Sequence, residues 1–109
     1  MRIATAFIVA VMAASAAAPA LAQSDRVSDV EFLQAARCRG LVASQALGAT
    51  DAASLEAFLN VQGKSRNAYV LDKADQVAAD AKRAAKRAGP ERRATLSAEL
   101  AGACARFMS

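Results

Sequence analysis

AYVLDKADQVAADAKRAAKRAGPERR, residues 68–93, passes from Ala68 to Ala88 without a helix breaker and then meets glycine and proline together. Val70, Ala74, Val77, Ala81, Ala84 and Ala88 recur at alternating steps of four and three, the spacing that keeps side chains on one face of an α-helix. Lys82, Arg83, Lys86 and Arg87 fall on the opposite side, with Asp72, Asp75 and Asp80 further back on that polar side. Acids early and bases late suit the helix dipole. Gly89-Pro90 ends this helix and starts another, because proline is accepted at a first helical position and excluded one turn earlier. In the helix that follows, Leu96, Leu100, Ala103 and Phe107 make the apolar stripe, and Cys104, four residues after Leu100, shares its side.

Upstream, Ser28 and Glu31 form a capping box, with Val27 and Phe32 placed as a hydrophobic staple. A helix therefore begins at about Asp29, and Leu33, Ala36, Leu41, Val42 and Leu47 carry it to a stop at Gly48, with Cys38 inside it. Thr50 or Asp51 caps a second, shorter helix whose Leu55, Phe58 and Leu59 form a stripe before Gly63. Lys64 to Asn67 reads as a connection. No stretch alternates with period two and no hairpin dipeptide occurs, so the expected fold is all-α: a small antiparallel bundle of about four helices, one of them short.

The N-terminus reads as a secretory signal peptide. Arg2 precedes an apolar run from Ile3 to about Ala18, and Ala20-Leu21-Ala22 supplies small residues where a signal peptidase reads them, so cleavage is expected after Ala22. The run is shorter than the roughly 20 residues a membrane-spanning helix needs. No cysteine follows the cut to carry a lipid. A single domain, residues 23–109, is then expected in the periplasm or the medium of a bacterium, with no transmembrane segment, and loss of Arg2 lowers the formal charge from +4 to +3.

Cys38 and Cys104 both remain after cleavage, and an even count in a small exported chain implies a disulfide, here between the first and last helices. The competing reading is a reactive thiolate at Cys38, favoured by its neighbours Arg37 and Arg39.

The chain contains no histidine, which removes the usual general base, the usual metal ligand and the His-dependent triads. Met108 is the one methionine beyond the leader, so thioether copper and Met/His haem sites are absent too. Asp72 and Asp75 form an i, i+3 carboxylate pair, but Lys73 lies between them on a solvated face; Ser44, Ser54, Ser65 and Ser97 lack a base. No enzyme, metal or cofactor is expected.

The chemistry that is present is cationic. Lys82, Arg83, Lys86, Arg87, Arg92 and Arg93 crowd the Gly-Pro break, opposed by Glu91 alone. They suit lipid A phosphates, anionic phospholipid or an acidic protein; the absence of interleaved aromatics disfavours nucleic acid. The bland alternative is a solvated helix face. The seam of the same helix offers only alanine beyond Val77, so either a neighbour approaches it very closely or that end packs loosely and opens.

The leading expectation is a non-catalytic binding protein, an adapter or inhibitor using residues 82–93. In size, compartment and its two cysteines the chain also resembles the periplasmic acid-stress chaperones, a resemblance without a shared motif that implies partial unfolding to hold clients; a loosely packed alanine seam would serve that. A binder of anionic lipid or the envelope surface is the third reading.

Overall fold

The computed structural model describes residues 26–48 and 51–108. The expected leader, residues 1–22, and the Thr50 cap lie outside them. Four α-helices follow in order, α1 Asp29–Ala43, α2 Ala53–Gly63, α3 Ala68–Arg87 and α4 Pro90–Ala101, and then a 3-10 turn, Ala105–Phe107. No strand occurs among the described residues.

The helix starts follow from local chemistry. The Ser28 hydroxyl accepts from the Glu31 amide at 3.2 Å, Asn67 Oδ1 accepts from the Val70 amide at 2.9 Å, and Pro90 occupies the first turn of α4. At α2 the side chain involved is Asp51, whose Oδ1 accepts from Ala53 at 2.9 Å, while Ala52 holds the cap position.

Two helix ends depart from expectation. α1 stops at Ala43, before Gly48, because the Ser44 hydroxyl donates to the Leu41 carbonyl at 2.7 Å and Gln45 turns left-handed at φ 59°. Leu47 packs against the core from the loop instead of the helix. The last helix is likewise not continuous to Phe107. It ends at Ala101, Gly102 leaves helical geometry, and Cys104 follows in the turn. Ala103 is consequently exposed, while the 3-10 turn returns Phe107 to the core against the Phe58 ring, 5.1 Å away between centroids.

Contacts fix the directions. Val27 donates to Gln62 and Arg66 reaches Asp29, so the start of α1 meets the end of α2 and the start of α3. Arg37 of α1 meets Glu99 of α4, and Gln34 meets Arg106. Successive helices therefore alternate in direction, and α1 and α3 run parallel. That parallel pair packs more extensively than any other.

α1 is the central helix: from Glu31 to Val42 no residue is exposed. Its apolar side chains feed a single core that includes Phe32, Leu41, Leu55, Leu59, Val70 and Leu96. The disulfide Cys38–Cys104 is fully buried in that core and fastens the C-terminal region to the middle of α1.

The alanine seam of α3 is closed by close approach. Its buried positions are Val70, Ala74, Ala78, Ala81 and Ala85; Val77, Ala84 and Ala88 are half-buried, so the seam is rotated by one residue from the expected line beyond Ala74. Gly40 explains the rotation. A Cβ built there would lie 2.1 Å from the Ala78 carbonyl oxygen, so the two helix backbones touch at this point and only glycine permits it. Ala81 and Ala85, one and two turns on, have no exposed surface.

Candidate functional site

α3 is 20 residues long, so at 1.5 Å per residue it spans about 30 Å and separates two ends of very different chemistry. At its start Arg66 is buried, its side chain wholly inaccessible, in a cage of acceptors: Asp29 Oδ1 at 2.6 Å, the Val27 carbonyl at 2.5 Å and the Gln62 carbonyl at 3.1 Å. Its guanidinium also lies over the Phe32 ring, 5.1 Å from the centroid. One side chain thus joins α1, α2 and α3, and Arg26 adds a bond to Ser65 beside it.

At the far end all six expected basic residues, Lys82, Arg83, Lys86, Arg87, Arg92 and Arg93, are exposed. The turn Ala88-Gly89 sets the last turn of α3 beside the first turn of α4, which brings Arg92 and Arg93 to the same end of the bundle as the four cations of α3. Two of the six have internal partners. Arg83 pairs with Asp80 one turn back, and Arg93 donates to the Ala88 carbonyl at 3.5 Å. Lys82, Lys86, Arg87 and Arg92 make no hydrogen bond or ion pair among the described residues.

Every other described arginine is engaged. Arg37 forms a two-pronged pair with Glu99, at 2.6 and 3.0 Å, joining α1 to α4. The hydrogen bond that Arg37 donates to Glu99 holds its guanidinium above the ordinary arginine pKa, against partial burial, which pulls it down. Arg39 reaches Asp75 of α3 at 3.3 Å, and Arg106 donates to Gln34 at 3.1 Å while lying over Phe107. Arg87 and Arg92 are the two described arginines without a partner, and both sit at the basic pole.

The remaining candidates resolve differently. Cys38 carries no thiol, being disulfide-bonded to Cys104 with neither exposed. Asp72 and Asp75 are exposed, and Asp75 is the partner of Arg39. An open groove of about 450 Å³ lies between α2 and α3, floored by Phe32 and Ala36 of α1, with Arg39 and Asp75 on its rim. Sequence reasoning did not find that groove or the Arg66 cage, since each gathers residues from segments distant in the chain. Among the described residues no cluster of Cys, Asp and Glu could hold a metal ion, and no helix is long and apolar enough to cross a membrane.

No protein-family model matches this chain, and no curated protein or solved structure does either.

Proposed function

We propose that the chain is a small exported protein of the periplasm or medium that acts by binding, as an adapter or inhibitor, through the pole formed by Lys82, Arg83, Lys86, Arg87, Arg92 and Arg93. The observation that carries the reading is the contrast among arginines. Every described arginine outside this pole has an acceptor within the protein, whereas Arg87 and Arg92, with Lys82 and Lys86 beside them, have none. Cations held where two helices meet and left unpaired favour an external anionic partner. The buried disulfide is compatible with export, because such bonds persist in oxidising compartments.

The chaperone reading loses its local argument. The alanine seam that was to open cheaply is packed at backbone contact against Gly40, with Ala81 and Ala85 fully covered.

The test is affinity capture from the envelope fraction of the exporting bacterium, comparing the unaltered protein with a variant in which all six basic residues are glutamine. Capture of a component by the first and its loss from the second supports the reading. Equal capture, or capture of neither protein nor lipid, makes the cluster a solvated helix face.

A further inference from the structure

The basic pole carries charge without an apolar anchor, and that combination narrows the partner. Among the described residues the exposed large hydrophobics are Val30, Val61, Tyr69 and Leu71. All four lie on the segments that converge at Arg66, the start of α1, the end of α2 and the start of α3, and none lies between Lys82 and Arg93. What surrounds the cations at the pole is alanine, glycine and Pro90, above a shallow surface formed by Gly89, Pro90, Glu91 and Arg92.

A specific protein partner is gripped by aromatic or bulky apolar anchors seated in pockets, ringed by polar groups. Single-stranded nucleic acid is gripped by stacking platforms. The pole has neither. It fits a partner that needs no pocket and no stacking, only a dense, continuous array of negative charge, because each lysine or arginine held near such a surface contributes separately.

Resting on the reading that this pole is the docking surface, we infer that it attaches the protein to the phosphate headgroups of an anionic phospholipid bilayer, held by charge without insertion. The acids of α3 orient it there. At 1.5 Å per residue Asp80 sits about 9 Å behind Lys86 along the axis, and Asp72 about 21 Å behind. The pole is drawn to the membrane while the acidic stretch is kept from it. Asp80 also neutralises Arg83, which makes it an internal limit on affinity.

The test uses protein recovered from the periplasm of an expressing bacterium, so that the apolar leader does not itself bind lipid. Co-sedimentation is measured with vesicles of phosphatidylcholine, with and without phosphatidylglycerol, and against soluble glycerol phosphate at equal phosphate concentration. Binding is expected to the phosphatidylglycerol vesicles alone. It is expected to vanish as ionic strength rises from about 0.1 to 1 M, where the screening length falls from about 10 to 3 Å.

Each neutralised cation should weaken binding by about fivefold, the equivalent of ~1 kcal/mol. On that basis K86Q/R87Q loses about 25-fold, and K82Q/K86Q/R87Q/R92Q loses several hundredfold. D80N should tighten binding by up to about fivefold, since it frees Arg83. K64Q/K73Q removes the same charge as K86Q/R87Q from exposed positions away from the pole and should change affinity by less than about twofold. All these side chains are exposed, and circular dichroism checks that each variant folds.

The inference is overturned if the unaltered protein ignores phosphatidylglycerol, if glycerol phosphate binds as well as vesicles do, or if K64Q/K73Q weakens binding as much as K86Q/R87Q. If vesicle binding fails while the pole still captures an envelope protein, the lipid assignment falls and the docking surface stands. If both fail, the docking surface falls with it.

Discussion

Arg66 and Arg87 lie at opposite ends of α3 and are treated in opposite ways. Arg66 is taken out of water and its donors are matched to Asp29, Val27 and Gln62, so that three helices meet on one guanidinium. Arg87 is exposed and matched to nothing, in the company of Lys82, Lys86 and Arg92. A buried charge is tolerable only when its hydrogen bonds are satisfied, so the first arginine belongs to the fold. An exposed one makes no such demand, and the fold does not need it. The same residue type thus marks a structural end and an available end of one bundle.

The largest effect is expected between those ends, where the disulfide fastens the C-terminal region to the middle of α1. Replacing Cys38 and Cys104 by alanine releases a cross-link between residues 66 apart and is expected to lower unfolding free energy by about 4 kcal/mol. Because Cys104 tethers the segment that places Phe107 on Phe58 and Arg106 on Gln34, amide exchange should rise first across residues 96–108, while α3 stays protected. Uniform loss of protection would mean the bond serves the whole bundle equally.

Next in size is the crossing of α1 and α3. Gly40→Ala forces a methyl group into the backbone of Ala78, which cannot move without displacing α3, and a cost of about 3 kcal/mol is expected in denaturant unfolding. The same change at Gly89, within the basic pole, meets nothing within 4 Å and should cost no more than about 1 kcal/mol, the difference between glycine and alanine at the cap position of α4. If the two alanine variants unfold alike, the contact at Gly40 is looser than described.

How far these features could be read beforehand depends on how local their causes are. The starts of α1 and α4 and the end of α2 were legible because Ser28 and Pro90 act on their own first turns and Gly63 on its own last one; α3 starts at Ala68 as expected, but its Asn67 cap was read only as part of the connection. The early stop at Ala43, the break at Gly102 and the rotation of the α3 seam were not, since Val77 and Ala78, like Ala84 and Ala85, are neighbouring small apolar residues that could each face the core, and Gly40 chooses between them from another helix. The basic cluster was visible as composition. Which cations are engaged was hidden, because Arg37, Arg39, Arg66 and Arg106 find partners 62, 36, 37 and 72 residues away.

The third test sets the two ends directly against each other. Arg66→Met keeps an unbranched apolar stem over Phe32 but leaves the Val27 and Gln62 carbonyls without their donor in a buried position. A loss of about 2–3 kcal/mol is expected, less than for a fully buried ion pair because Asp29 is 55% exposed and regains water. Equal stability of this variant and the unaltered protein would show that the cage is ornamental to the fold.

The smallest expected effect on stability is at the basic pole, and its smallness is informative. Glutamine at Lys82, Lys86, Arg87 and Arg92 breaks no hydrogen bond and uncovers no apolar surface, so unfolding free energy should change by no more than about 0.5 kcal/mol. The sign should be positive if anything: six cations against Asp80 and Glu91 repel one another within a screening length, and removing four relieves that repulsion, while the dipole interaction that Lys86 and Arg87 lose at the end of α3 is offset in part by removing Arg92 from the positive end of α4. The relief should itself disappear at high salt. A variant that is stabilised at low ionic strength and indistinguishable at high ionic strength would identify this end as one where charge is kept at a slight cost to the fold. A variant that is clearly destabilised would place these four side chains with Arg66, as parts of the scaffold.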